Sequence, residues 1–315
     1  AVSTLTTAVY DTWFGYYSLT AAAKISGIML LILFVAIIVE RYSRRNQAVF
    51  ERQTQLSDEP LYSLSGVTSF MATAFASVIL LVAFVLPVAV LLGYAVDYFE
   101  QAWNNEFFAY AWHSLKISAL VSVATIALSI CVVYFQRLSP SRTSLWPGRM
   151  ASTGYALPGT VSAIAVLLPL TTFEDRLNLW FESSAWQPGL FLSGTLFAIV
   201  FAYVVRFYAI AHGSIESSFS RISPSLDMAS QSMGRNPRQT LTRVHIPILR
   251  RGILTAALLV FIECMKELPA ALLLRPFNFE TLATHVFQYV SDEQLELASV
   301  AAIFIVVVGL IPLYF

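Results

Sequence analysis

Seven apolar stretches divide this chain, running roughly from Ala21 to Val39, Ser69 to Val96, Leu115 to Phe135, Gly154 to Leu170, Leu190 to Ala211, Gly252 to Leu274 and Leu297 to Phe315. Each is near the length of about 20 residues that an α-helix, rising about 1.5 Å per residue, needs to cross a hydrocarbon core of about 30 Å. Barrel strands are shorter and alternate in character, so these uninterrupted runs point to helices. The expectation is an all-α polytopic membrane protein with about seven spans. Composition agrees: 57% of the 315 residues are apolar or aromatic and 12% are charged, where a soluble domain carries about a quarter charged residues. With 19 basic and 19 acidic residues, the chain lacks the concentrated basic surface that nucleic-acid binding needs. The fourth stretch is interrupted by Pro158 and Gly159 in YALPGT, a pair that a wet or protein-lined site tolerates better than lipid does.

Arg and Lys in the connections predict orientation, because positive loops stay on the cytoplasmic side. Arg41, Arg44, Arg45 and Arg52 follow the first stretch, Arg137, Arg142 and Arg149 the third, and Arg221, Arg235, Arg238, Arg243, Arg250 and Arg251 lie between the fifth and sixth. The alternate connections are acidic: Asp97, Glu100 and Glu106, then Glu174, Asp175 and Glu182, then Glu280, Asp292, Glu293 and Glu296. This places Ala1 outside and the seventh stretch's end inside. The outer loop after the second stretch carries Tyr98, Phe99, Trp103, Phe107, Phe108, Tyr110 and Trp112, which reads as headgroup-level anchoring. Glu40 to Ser65 is the most polar segment and reads as a cytoplasmic linker. Ala1 without an initiator Met, and Phe315 inside an apolar run, point to a piece of a longer chain.

The basic loop before the sixth stretch carries two helix-start signals. Ser223-Pro224 supplies an N-cap and a proline at the first helical position, and Gly234 supplies a stop. Asn236-Pro237 repeats the start, and a second short helix is expected to run toward Val244 before Pro247. Leu226, Ala229 and Met233 recur at helical spacing, giving an apolar face that either a partner protein or the membrane surface could cover.

At these residues a family resemblance emerges. Met228-Ala229-Ser230, three residues, Gly234, nine residues, then Val244-His245-Ile246-Pro247 resembles the EAA loop of binding-protein-dependent ABC importer permeases, whose pattern is Glu-Ala-Ala, three residues, Gly, nine residues, Ile-x-Leu-Pro. The departures are Met228 for Glu and Ser230 for the second Ala, with Asp227 one residue earlier as a candidate acidic group. Glu263-Cys264-Met265-Lys266-Glu267-Leu268-Pro269-Ala270, LLLRPF from Leu272 and TLAT from Thr281 look like the ferric-iron branch, as does the segment from Ala8 to Ala23.

The resemblance implies the transmembrane domain of a type I ABC importer. Residues 1–39 would be the last span of a mostly missing N-terminal permease half, 40–65 a linker, and 66–315 a six-span half with its coupling loop at 214–251. It implies a bacterial inner-membrane location, two cytoplasmic ATPase subunits, a periplasmic binding protein, and ferric iron as substrate, with thiamine or polyamine as alternatives. The coupling loop would comprise Asp227, Met228, Ala229, Ser230, Gly234, Val244, Ile246 and Pro247. No Gly-x4-Gly-Lys-Ser/Thr loop occurs, so ATP–Mg is expected on the partner and no cofactor on this chain.

Glu263, Lys266 and Glu267 in the sixth stretch are spaced i, i+3 and i+4, so one helix could carry all three on one side. Charges at membrane depth are costly and usually face a partner or a wet cavity. With Pro158 and Gly159 they are the candidate translocation pathway; the alternative is a Glu–Lys pair that only orients the helix. From a different class, the same cluster fits the ion relay of a secondary transporter. Arg206 is expected to snorkel toward the cytoplasm. His113, His212, His245 and His285 fall on both sides of the membrane, so no shared metal site is expected. Cys131 and Cys264 lie in apolar runs and give no disulfide framework. His212-Gly213-Ser214 lacks a GxSxG elbow, so no catalytic residue and no enzyme activity are expected.

Overall fold

The computed structural model describes residues 4–44, 64–139, 141, 148, 154–181 and 189–311. Most of the linker and of the loop carrying Arg142 and Arg149, together with Arg45, Arg52, Glu182 and the end of the seventh stretch, lie outside them. The helices are α1 (Leu5–Phe14), α2 (Leu19–Arg44), α3 (Gly66–Asp97), α4 (Asn105–Leu138), α5 (Gly159–Trp180), α6 (Leu196–Ser220), α7 (Pro224–Ser232), α8 (Pro237–Thr240), α9 (Ile246–Met265), α10 (Pro269–Leu274), α11 (Leu282–Ser291) and α12 (Leu295–Leu310). Four of them, α2, α3, α4 and α6, are each long and apolar enough to cross a membrane. The fourth, sixth and seventh stretches coincide with α5, α9 and α12.

The main core is shared by α4, α5, α6, α9 and α10, around Val121, Tyr203, Phe207, Ile215 and Val260. On α4 five of the inward residues are small and polar: Ser114, Ser118, Ser122, Thr125 and Ser129 are all buried. Small side chains let helices approach closely in lipid, and hydroxyls bond across the gap. Ser122 donates to the Ala257 carbonyl at 2.7 Å, and Ser114 accepts from the Leu282 N–H at 2.8 Å. Two smaller clusters flank this core. Phe107, Met265, Leu282 and Val300 join α4, α9, α11 and α12, and Val9, Ala22 and Ile164 join α1 and α2 to α5. No residue of α3 is buried; its C-terminal part packs against α12 through Ala95, and the remainder, apolar on every side, has lipid as its natural neighbour.

Two prolines that would ordinarily break a helix are absorbed by one device. Proline lacks an N–H and its ring collides with the carbonyl four residues back. Pro87 follows a π-turn at Leu81–Val85, and Pro247 follows another at Leu241–His245. The extra residue widens the turn and relieves both problems. Pro247 therefore does not separate a short helix from the next span as expected; α8 runs through the wide turn into α9.

The sixth stretch, by contrast, is broken where continuity was expected. Helix α9 stops at Met265, and α10 begins only at Pro269. Pro269 has no N–H to give to the carbonyl four residues back, that of Met265, and its ring crowds that carbonyl, so a regular α-helix cannot continue unbroken through this point. Glu174, expected in an outer loop, sits in α5 with its side chain fully buried and accepts from the Ser193 N–H at 2.9 Å, tying α5 to the turn before α6. Of the outer aromatics, Phe107 belongs to the core, while Phe99, Trp103, Phe108 and Trp112 are exposed and the first three stack in one group.

Candidate functional site

The loop between α6 and α9 is built by short-range capping. The Ser223 hydroxyl accepts from the Ser225 N–H at 3.3 Å, and Pro224 opens α7. Gly234 closes the unit at φ 75°, a left-handed conformation that glycine adopts without penalty. Asn236 and Gln239 then form a reciprocal capping box, with bonds of 2.8 and 3.2 Å, that starts α8.

One side of α7 is held down at three points. Asp227 Oδ2 lies 2.7 Å from Arg137 Nε, and Asp227 Oδ1 lies 2.6 Å from His245 Nε2. Ser230, 1% exposed, shares a 2.8 Å hydrogen bond with Thr240. Tyr134 donates to the Pro237 carbonyl at 2.7 Å. Asp227 thus faces inward rather than presenting a surface acid in place of the missing Glu. Ser230 stands where only a small residue fits, and its hydroxyl has a partner in Thr240.

The rest of the surface is open and mixed, with Ser225, Gln231 and Ser232 exposed among apolar side chains. Met228 is 61% exposed, Met233 67% and Leu226 39%, with Ala229 exposed between them. Arg221, Arg238, Arg243, Arg250 and Arg251, in the same loop and the start of α9, are all exposed. Of the remaining loop residues, Val244 is half-buried in the wide turn, and Ile246 and Pro247 are exposed at the start of α9.

At mid-depth, the break between α9 and α10 divides the expected triad. Lys266 has φ −98° and ψ 2°, so the helical phase is lost there and Glu263, Lys266 and Glu267 do not share a side. Glu263 and Lys266 pair with each other at 2.8 Å and remain accessible, and Tyr155 approaches Glu263 Oε2 at 3.4 Å. Glu267 turns inward, 6% exposed, and pairs with Arg206 at 3.4 Å. Arg206 therefore does not snorkel. It lies ten residues into α6 from Leu196, a depth of about 15 Å.

Backbone freed by the break is satisfied locally. Tyr203 donates to the Glu267 carbonyl at 3.1 Å, and the Glu267 side chain accepts from the Ala270 N–H at 3.3 Å. Irregular backbone at membrane depth needs such cover, or a wet cavity. Pro158 caps α5, and Gly159 opens it against the pair itself: a methyl at Gly159 would run into the Arg206 guanidinium and the Glu267 carboxylate. The structure thus brings Pro158, Gly159 and Glu267 together with Arg206 and Tyr203, two residues the sequence patterns did not select. Among the described residues, no group of three or more His, Cys, Asp or Glu is placed to hold a metal ion.

A second, partly buried polar group lies around the turn between α10 and α11. Arg275 pairs with Glu280, and burial lowers the Arg275 pKa from its ordinary value. His285 packs between the rings of Tyr110 and Tyr289, at 4.9 and 4.7 Å. Burial lowers its pKa, with Glu106 pulling the other way.

No protein-family model matches the sequence. The Fe(3+)-transport system permease protein FbpB 2 of Haemophilus influenzae is 25% identical over 315 residues, covering 99% of this chain and 59% of that protein. A putative 2-aminoethylphosphonate transport system permease protein of Salmonella choleraesuis is 24% identical, covering 80% of this chain and 93% of its own length. The chain is homologous to ABC-transporter permeases. Its fold is that of an ABC importer transmembrane domain: a chain in the crystal structure of a bacterial alginate ABC transporter, in complex with an alginate pentasaccharide-bound periplasmic protein, superposes with a TM-score of 0.59. That match has 16% identity and covers 78% of this chain and 92% of the other. The permease homologue described here is accordingly a multi-pass membrane protein, and it spans about three fifths of the ferric-iron relative's length.

Proposed function

We propose that this chain is a transmembrane part of an ATP-driven importer of ferric iron in a bacterial inner membrane. The observation that carries the reading is α7: a short helix with Asp227 and Ser230 held by Arg137, His245 and Thr240 while the apolar side chains of Leu226, Met228 and Met233 are left open. A helix fixed on its inner side, with exposed apolar side chains in a loop rich in exposed arginines, suits a protein partner better than lipid, because lipid does not require the inner side to be fixed. The partner in this reading is one of two cytoplasmic ATPase subunits. ATP–Mg binds there, and this chain supplies no cofactor.

Residues 1–39 are read as the last span of a first half, 40–65 as the linker and 66–315 as a six-span second half. The separate small cluster of Val9, Ala22 and Ile164 supports treating α1 and α2 as a unit docked onto the rest. Iron is favoured because the ferric-iron relative aligns with both parts of the chain. The 2-aminoethylphosphonate relative aligns with 80% of it and supplies the competing substrate.

Transport in this reading is alternating access. A periplasmic binding protein presents substrate to the outer face, and nucleotide binding favours one of two states by differential affinity. Glu263 offers oxygen donors to a hard cation, with the accessible Lys266 limiting how tightly a cation is held. Glu267 belongs to the scaffold of the break and not to the route.

The test is co-purification and uptake in parallel. Tagged chain should bring down an ATPase and a binding protein, and vesicles holding them should accumulate radioactive ferric iron only with ATP. Uptake driven by an ion gradient without any ATPase would sink the reading in favour of a secondary transporter. Accumulation of 2-aminoethylphosphonate instead of iron would keep the machinery and change the substrate.

A further inference from the structure

The single acid of α7 turns toward the bundle while the apolar side chains on either side of it, Leu226 and Met228, are exposed, and this separates two tasks within one helix. Both Asp227 carboxylate oxygens are engaged. Oδ2 meets Arg137 Nε and Nη2, each at 2.7 Å, and Oδ1 meets His245 Nε2 at 2.6 Å. Arg137 spends its remaining donors on the end of α6, reaching the Phe219 and Ile222 carbonyls at 3.0 Å and the Ser223 carbonyl at 3.3 Å. Phe219 lies in the last turn of α6 and the other two carbonyls just beyond it, where a guanidinium complements the helix's negative end. His245 is fully buried, its ring 5.6 Å from those of both Tyr134 and Phe219. Four elements therefore converge on one carboxylate: α4 through Arg137, the end of α6 through the same guanidinium, α7 through Asp227 itself, and the wide turn leading into α9 through His245.

Charge-assisted bonds to a planar guanidinium fix direction as well as distance. Arg137 stands at the cytoplasmic end of a 34-residue helix, and His245 immediately precedes a 20-residue one. We propose that Arg137, Asp227 and His245 form a strut that makes α7 move as one body with α4 and α9, so that Asp227 transmits motion from the ATPase without contacting it. The inference rests on the reading of α7 as the ATPase dock and assigns Asp227, Arg137 and His245 as positioning residues of that coupling. Because Asp227 turns toward the bundle while Leu226, Met228 and Met233 are exposed, attachment and transmission are separable by mutation.

The experiment uses the full chain co-expressed with its ATPase and binding protein, scoring ATPase co-purification, ATP hydrolysis, and substrate taken up per ATP. Asp227→Asn and Arg137→Gln should retain the ATPase and continue to hydrolyse, while uptake per ATP falls about tenfold or more, since one member of a partly buried, hydrogen-bonded charge pair is left unmatched. His245→Gln, which keeps a donor, should stay within about twofold of wild type, and His245→Ala should resemble Asp227→Asn. A purely structural role would lower yield and thermal stability and leave the ratio of uptake to hydrolysis unchanged, an outcome that overturns the strut. Loss of the ATPase from Asp227→Asn would equally overturn it, because Asp227 would then serve attachment. Met228→Glu with Met233→Glu tests the underlying dock. If that double variant keeps the ATPase, the dock reading fails; if it loses the ATPase while Asp227→Asn keeps normal uptake per ATP, the dock stands and the strut falls.

Discussion

Arg206 of α6 and Glu267, in the break between α9 and α10, hold their charged groups 3.4 Å apart at mid-depth in the bundle. The pair is enclosed by Gly159 at the start of α5 and by Tyr203 on α6. Neither charge has an alternative in lipid, so each depends on the other. Two chemically similar carboxylates, Glu263 and Glu267, consequently have different tasks.

Substitution should reveal the difference. Glu267→Gln leaves Arg206 buried and unmatched, and is expected to cost about 3 kcal/mol or more of stability. Glu263→Gln affects a partly exposed pair worth about 1 kcal/mol or less. Thermal unfolding in detergent should show a large loss for the first and little for the second, while uptake assays on Glu263→Gln should show the transport defect. Equal melting behaviour would mean that Glu267 is not a scaffold residue.

Gly159→Ala should be disproportionately harmful for one added methyl. Its Cβ meets the Arg206–Glu267 pair, and overpacking of this kind costs about 1–3 kcal/mol. Gly213→Ala on α6 is the control, because open space surrounds that position. A lowered melting temperature for the first alone supports the close packing; matched values would contradict it.

Gly234→Val places a β-branched residue at φ 75°, where a side chain costs roughly 1–2 kcal/mol. Insertion into the membrane should be normal, ATPase attachment weakened and transport abolished. Gly234→Asn should be milder, since asparagine tolerates the left-handed region. Normal assembly and uptake in the valine variant would remove α7 from the coupling role.

Cysteine labelling tests the orientation on a background lacking Cys131 and Cys264. Asn278→Cys should react with an impermeant reagent from outside intact cells, and Arg235→Cys only after lysis. The reverse pattern would invert the positive-inside assignment and overturn the cytoplasmic dock with it.

His285 gives a pH dependence. Its folded pKa lies below the ordinary 6.5 because burial disfavours the imidazolium. The unfolded chain therefore binds more protons in the window below that value. Stability should be full above about pH 6.5 and fall as pH drops toward the folded pKa. Melting curves at several pH values should be flatter on the acid side for His285→Gln, and an unchanged slope would show that His285 does not titrate on unfolding.

Length and uniform apolarity made the long helices legible, because those signals need no knowledge of neighbours. The capping residues Ser223, Asn236 and Gly234 were legible for the same reason: each acts within a few residues of itself. What could not be read was the break after Met265. Only Pro269 hinted at it, and prolines 87 and 247 carry the same hint without breaking their helices. Whether a proline breaks a helix depends on what takes up the freed backbone, here Tyr203 from another helix. Arg137 and Arg206 were misread alike. A charge near the end of an apolar run looks like a loop marker or a snorkelling side chain until its distant partner, Asp227 or Glu267, is placed beside it.

The wide turn at Leu241–His245 has a further meaning for how this segment can vary. Each residue in a helix advances its side chain by about 100° around the axis. The added residue of that turn sets the direction in which His245 points, and it points at Asp227. Removing or adding one residue between Gly234 and Val244 would swing the imidazole away by about that angle, whatever amino acids remained. The nine positions in between are thus a measured spacer: their number is constrained by the site, while the exposed side chains Arg238, Thr242 and Arg243 are free to differ without disturbing it.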